Sequence, residues 1–382
     1  MAIKKLIPYS KQWINHEDIT EVVKVLKSDW ITQGPKIEEF EKTLARYVSA
    51  KYAVAVSNGT AALHLACLVA GIGPSDEVII PTLSFVATAN CVLYCGAKPV
   101  LVDVYEDTLT INVEDVENKI TKKTKAIIAV DFAGHPADWD KLKELAKKHN
   151  LILIDDAAHA LGSKYRGKMI GSIADFTCFS FHPVKIITTG EGGAVITNNK
   201  NYYEKLLSLK HHGIVKTQNL SKKYGDWYYD IKELGFNYRL TDIQASLGIS
   251  QLKNINSHIK RRRSIWQRYQ KALDSNHLIK LPTEKEGCFC AWHIFPIKFN
   301  LEVMKKNRRQ VFDELKDAGI RVQVHYIPIH LLSFYRKNFG YKTSVFPVAE
   351  DYYKRAITLP LFPTLSKSEQ FYIIKKLQEV VQ

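Results

Sequence analysis

No run of roughly eighteen apolar residues, the length that a bilayer-spanning helix needs, occurs in this 382-residue chain. It does not read as an integral membrane protein. Cys-x-x-Cys pairs are missing too, and the six cysteines (Cys67, Cys91, Cys95, Cys178, Cys288 and Cys290) sit mostly among apolar neighbours. That excludes the usual zinc and dithiol motifs and leaves reduced core thiols as their reading. The opening residues, MAIKKLIPYSKQW, have two lysines but no apolar stretch and no small-residue cleavage site, so no secretory signal is read and a cytoplasmic location is expected. Internal repeats and low-complexity tracts are absent. So are GxxxxGK[ST] and GxGxxG, which disfavours nucleoside triphosphate and dinucleotide binding and leaves a smaller phosphate compound as the better fit.

What is present is ordinary for a globular enzyme subunit: 46% hydrophobic and 24% charged residues. The length suits one large domain with a smaller second one. An excess of fifteen positive charges invites a nucleic-acid reading, yet the charge is dispersed. Only Lys260–Arg263 (KRRR) forms a tight run, which on a helix reads as a solvated face rather than a groove reader. No nucleic-acid partner is expected, and a basic surface also suits a small substrate bearing a diphosphate.

From Tyr52 to Thr197 apolar, β-rich runs alternate with helical patterns. The strand candidates are 52–57, 77–81, 99–103, 125–130, 151–155, 176–181 and 193–197, and several are apolar on both faces. Strands of that kind are buried between helix layers, so the predicted core is a mostly parallel seven-stranded sheet of an α/β fold. Helices are predicted at 16–28, 35–48, 60–71, 85–94 and 138–149, then a TDIQASLGISQLKNI helix and a basic one from about His258 to Leu273. Beyond these, a strand in AWHIFPIKF, a helix at 302–318, a strand in IRVQVHY and a final helix from Ser366 suggest a smaller α+β domain. The resulting division is an N-terminal arm and helix (1–34), a large α/β domain (35–255), and a linking helix with a small C-terminal domain (256–382).

Four segments carry chemistry. Ser57-Asn58-Gly59-Thr60 follows a strand and opens a helix, whose N-terminus offers free amides and the positive end of a dipole to a phosphate. A plain cap by Asn58 or Thr60 is the alternative. Asp155-Asp156-Ala157-Ala158-His159 follows the apolar strand LILI, at the sheet edge where ligands of open α/β sheets bind. Of two adjacent acids, one works and the other caps or faces away. Asp156 with His159 finds no third metal ligand of suitable spacing, so no metal is expected. Ser180 through Lys185 to Gly193 sets a lysine just past a buried strand, where partial desolvation favours a neutral, nucleophilic amine. Ser180, at the strand end, can hold a phosphate. Finally, Gly235–Asp242 precedes a helix that Thr241 is placed to cap.

In this order the four segments resemble the DegT-type nucleotide-sugar aminotransferases, pyridoxal-phosphate enzymes of fold type I, and the resemblance runs through essentially the whole chain. NGTxAL, D-x-x-H after a strand, SF…K before an EGG turn and GFNYR-L-x-[DE]-x-QA are all matched. The resemblance implies pyridoxal 5′-phosphate held as a Schiff base on Lys185, with Asp156 paired to its pyridine nitrogen and Phe85 stacked on its ring. It further implies phosphate contacts from Gly59, Thr60 and Ser180, His159 beside the ring oxygen, and Asn237 supplied by the neighbouring subunit of a homodimer with composite sites. SFHPVKIITTGEGGAVITN and VQVHYIPIH resemble the family's branch in pseudaminic acid biosynthesis. That implies amination at C4 of a UDP-linked 4-keto-6-deoxy-N-acetylhexosamine of the L series, with L-glutamate as donor. Tyr9, Asp29, Trp30, Ile31, Thr32, His325 and Tyr326 would touch the nucleotide sugar, as would Gly59, Ser180 and Asn237. Another keto-sugar, or attack at C3, is the rival within the family. A dehydratase is disfavoured because the relatives of that kind replace the lysine with histidine. The rival from another class is a non-catalytic, cofactor-binding regulator that contacts nucleic acid.

Overall fold

The computed structural model describes residues 6–382. Its centre is a seven-stranded sheet whose strands, numbered along the chain within it, are β1 (Tyr52–Val56), β2 (Glu77–Pro81), β3 (Lys98–Val102), β4 (Thr124–Val130), β5 (Ile152–Asp156), β6 (Phe176–Ser180) and β7 (Gly193–Thr197). In space they run β1-β7-β6-β5-β4-β2-β3. The pairs from β3 across to β6 are parallel, and β7 runs antiparallel to both β6 and β1. Alternation along the strands feeds two apolar cores. Val54, Ile80, Ile128 and Ile154 enter one of them, and Ala53, Ile79, Ile127 and Leu153 enter the other. Both faces are therefore covered, which is why the strands read as continuous apolar runs.

The helices that matter for the cleft are α1 (His16–Leu26), α2 (Pro35–Tyr47), α3 (Gly59–Val69) and α4 (Ala87–Tyr94). α1 lies on the helix Asp242–Lys253, where Gln251 donates to Asp18 at 2.6 Å. Asp242 is fully buried and accepts the amides of Gly34 (2.7 Å) and Lys36 (2.9 Å), so it caps the start of α2. Thr241 caps its own helix in a capping box with Gln244.

Past the long helix Ile255–Leu273, a second, antiparallel sheet forms from Ile279–Lys280, Phe295–Phe299 and Ala356–Leu359. It shares a core with one face of the main sheet, through Phe295, Ile297, Ile357 and Leu359. The N-terminal arm is strapped across this region, Ile7 exchanging backbone bonds with Gly319 (2.9 Å) and Arg321 (2.8 Å).

Three expectations need correction. The predicted helix at 302–318 forms only over Arg308–Asp317, with Asn307 as its N-cap. IRVQVHY is no strand. It makes single bridges, Ile7↔Ile320 and Gln323↔Thr358, because β-branched alternation finds no continuous partner there. The KRRR run is not one solvated face: Lys260 and Arg261 are exposed, but Arg262 is buried and Arg263 grips Glu284 with both terminal nitrogens (2.8 and 3.1 Å).

Candidate active site

At the carboxyl ends of the parallel strands opens a cleft of about 740 Å³. Gly59, Thr60, Phe85, Asp156, His159, Ser180, Lys185, Tyr9, His325 and Tyr326 all line it. The chain thus gathers residues from six sequence segments at one place. Asn237 and the 29–32 segment are not among the lining. Asn237 is exposed and bridges to His211, while Thr32 bridges to Thr241 and the side chains of Trp30 and Ile31 are 58% and 50% exposed.

The two adjacent acids separate as strand geometry demands, since successive side chains on β5 leave opposite faces. Asp156 faces the cleft, its Oδ2 accepting from the Thr88 hydroxyl at 2.7 Å and its Oδ1 from the Ala158 amide at 3.3 Å. Burial pushes its carboxyl above the ordinary value, while Thr88, Ala158 and the Lys185 charge pull it back. Asp155 is fully buried; it has Thr177 as a distant donor at 3.4 Å and one oxygen without a partner. Burial, then Asp131 and Asp156, hold its carboxyl well above the usual range, which favours its uncharged form. The carboxylate that can meet a cation in the cleft is Asp156.

Lys185 sits in the connection between β6 and β7. Phe181 and Gly192 close the base of this loop (2.8 Å), and Gly190 makes the turn at a φ of 82° that favours glycine. Burial lowers the Lys185 amine to about 8, with the Asp156 charge acting against that fall. No hydrogen bond ties the amine down among the described residues. It is therefore a largely dry amine, more readily neutral near neutral pH than an ordinary lysine, and free to react.

α3 begins at the cleft. Asn58 caps it by accepting the Ala61 amide at 2.8 Å, which decides the capping question for Asn58 and leaves the Gly59 and Thr60 amides at the open end of the helix. A Cβ on Gly59 would stand 2.9 Å from that of Ser180, so glycine is what allows the helix start and the Ser180 hydroxyl to share one corner. Two amides, a dipole and a hydroxyl in a corner suit a phosphate.

His159 is held as a neutral imidazole. Its Nδ1 accepts the Ala133 amide at 3.3 Å, so Nε2 carries the proton toward the Tyr326 hydroxyl at 3.1 Å. Burial, then the Lys185 charge, hold its pKa well below the ordinary value. Tyr326 accepts there and keeps its own O–H for another partner. The Phe85 ring is 56% exposed to the cleft and lies 5.9 Å from the Tyr326 ring. His325 bonds Thr358 through Nδ1 (2.9 Å), and burial lowers it to about 4.

Several cleft groups are illegible in the sequence. Thr88, the donor to Asp156, is an ordinary helical threonine on α4. His293, whose ring lies 4.4 Å from that of His159 at a tilt of 46°, lies in a stretch that reads only as strand. Tyr94, Glu191 and Tyr238 also reach the lining. Asp156 and His159 gather no third metal ligand among the described residues.

The site fits pyridoxal phosphate: an unbonded, desolvated amine, a buried carboxylate, an open aromatic face and an amide-rich corner surround one cleft. Asp156 and Lys185 would hold its two reactive ends, and the α3 corner its phosphate.

Comparisons with known proteins agree. Over 381 residues the chain is 38% identical to the UDP-4-amino-4,6-dideoxy-N-acetyl-β-L-altrosamine transaminase of Campylobacter jejuni, covering 99% of this chain and 98% of that one. It is equally 38% identical to the GDP-perosamine synthase of Escherichia coli, with 98% of each chain covered. A sugar aminotransferase of Streptococcus pneumoniae, solved in its PMP form, superposes with a TM-score of 0.93 at 37% identity, over 98% of this chain and 99% of that one. The fold is that of a type I aminotransferase, and the enzyme is a pyridoxal-phosphate-dependent transaminase of nucleotide sugars. With residues 12–378 matching its pattern, the chain belongs to the DegT/DnrJ/EryC1/StrS aminotransferase family.

Proposed function

We propose that the protein transfers the amino group of L-glutamate to C4 of a UDP-linked 4-keto-6-deoxy-N-acetylhexosamine of the L series, a step of pseudaminic acid biosynthesis. The observation that carries the transaminase chemistry is the Lys185 amine, buried, unbonded and near its neutral point, in a cleft with the Asp156 carboxylate. Bound pyridoxal phosphate would supply an electron sink for the pair left on carbon when its proton departs. Asp156 holds a positive charge at the ring nitrogen, oriented by Thr88 and Ala158. Lys185 anchors the cofactor, and once released it takes a proton from one carbon and returns it to another. Neutral His159 donates through Nε2 and cannot withdraw that proton. Phe85 covers the ring face, and Gly59, Thr60 and Ser180 receive the phosphate.

For the sugar, Tyr9, His325 and Tyr326 stand on the wall of the cleft, with the rings of Tyr9 and His325 5.6 Å apart. They are placed to aim a keto carbon at the reacting nitrogen, for which an approach of about 3 to 3.5 Å is required. Asn237 and the exposed 29–32 segment lie outside the cleft of their own chain, which supports a two-fold homodimer in which they serve the partner's site. Six unpaired cysteines support a cytoplasmic setting.

The choice of sugar rests on likeness to the altrosamine transaminase, and the equal identity of the perosamine synthase makes the GDP-linked substrate the rival to test. Incubation with glutamate and the L-arabino-configured UDP-4-keto sugar, its D-xylo epimer or a GDP-linked 4-keto-6-deoxyhexose should give amine from the first alone. Exclusive turnover of either of the others, or amination at C3, overturns the assignment.

A further inference from the structure

We propose that Arg262 is a positioning residue for Lys185, fixing the backbone of the reactive lysine against the two walls of the cleft. The inference rests on the reading that Lys185 carries the cofactor. Arg262 lies on the helix Ile255–Leu273 and is 1% exposed. Its Nη1 donates to the carbonyls of His293 (3.0 Å) and Leu361 (3.1 Å), and its Nη2 to the carbonyl of Lys185 itself (3.3 Å). Among the described residues no carboxylate pairs with it, and its recorded partners are all peptide oxygens.

A buried guanidinium without a counter-ion is costly, and packing alone would be met by an apolar side chain. What an apolar chain cannot do is satisfy three carbonyls from three distant segments, and the planar fork of arginine is the one side chain with the reach and donor geometry for that. The three segments are significant. The His293 ring packs against that of His159 in a tilted contact (4.4 Å), and the Leu361 amide donates to the Tyr9 carbonyl (3.0 Å), so the guanidinium ties Lys185 to the His159 wall and to the Tyr9 wall together. The carbonyls on either side are also held: Ser10 donates to that of Val184 (3.4 Å) and His258 Nδ1 to that of Ile186 (3.3 Å). Three successive carbonyls of the turn are thus each pinned by a side chain from elsewhere, with Arg262 at the centre. The amine at the end of a flexible four-carbon stem is left as the moving part.

The test compares pyridoxal phosphate, which must react with the Lys185 amine, and pyridoxamine phosphate, which needs only the pocket. Arg262→Lys keeps the charge but loses the fork, and Arg262→Met keeps neither. In Arg262→Lys, affinity for pyridoxamine phosphate should stay within about two-fold, while borohydride-trappable capture of pyridoxal phosphate on Lys185 should slow on the order of 10-fold or more, because misplacement by about 1 Å can cost about 10²-fold. Arg262→Met should be slower still. Equal weakening of both ligands, or no change in either, overturns the inference, as does failure of both variants to fold, which would make Arg262 a keystone of the fold instead. A wild-type label on another lysine sinks the Lys185 reading and the inference together. A wild-type label on Lys185 with unimpaired Arg262→Lys capture sinks the inference alone.

Discussion

Asp156 and Lys185 owe their properties to being dry, and each makes a prediction at the scale of one side chain. Replacing Asp156 with Asn keeps the Thr88 and Ala158 contacts nearly isosteric but removes the anion, so the protein should fold and turn over at least about 10²-fold more slowly, the usual cost of losing a preorganised charge in a dry site. Steady-state kinetics beside circular dichroism would check this, and a near-normal rate would move the role elsewhere. For Lys185 the depressed value of about 8 sets a pH dependence. An amine attacks only when neutral, so capture of pyridoxal phosphate by cofactor-free protein should rise with pH and level off above about 8. An unperturbed lysine would keep rising to about 10.4. In that same window the unfolded chain holds one proton more than the folded one, so this group makes cofactor-free protein more stable as pH rises from about 8 toward 10.4. Stopped-flow capture across the pH range separates the two cases.

At the scale of elements, helix starts do much of the positioning. The Asp242 carboxylate buried under the start of α2 accepts two amides, and Asp242→Ala would leave both without a partner, costing about 1 to 3 kcal/mol for the buried groups. A lowered melting temperature should appear with little change in cofactor affinity. Gly59→Ala should differ, since its Cβ meets that of Ser180 at 2.9 Å in the phosphate corner and something there must shift: cofactor affinity should fall together with the melting temperature of cofactor-free protein. Calorimetry with and without cofactor tells the two variants apart. The elements themselves were largely legible. β1 to β7 announce themselves because burial on both faces leaves unbroken apolar runs, and Asn58, Thr241 and Ser366 cap the helices they precede. Legibility fades where tertiary partners decide. IRVQVHY alternates like a strand but is offered single bridges, and nothing in KRRR distinguishes the arginine that is buried from the neighbours that face water. Thr88 and His293 become site residues only because the start of α4 brings Thr88 to Asp156 and the segment before Phe295 brings His293 to His159.

For the molecule as a whole, the cleft of one chain holds every anticipated cofactor group except Asn237. If Asn237 serves the partner's cleft, inactive Lys185→Ala and Asn237→Ala subunits should rescue each other on mixing. One site of each mixed dimer then carries both defects and the other neither, so random exchange restores about a quarter of wild-type sites. No recovery after demonstrated exchange would mean self-contained sites. Neither sequence nor a single chain displays that arrangement directly, because the residues concerned are exposed and their partners belong to another copy. The central claim is that Lys185 carries the cofactor. It is tested most directly by loading the protein with pyridoxal phosphate, reducing with borohydride and mapping the labelled peptide by mass. The account predicts one phosphopyridoxyl group, on Lys185, and none at that peptide in Lys185→Ala; a label on any other lysine, or no label at all, would contradict it.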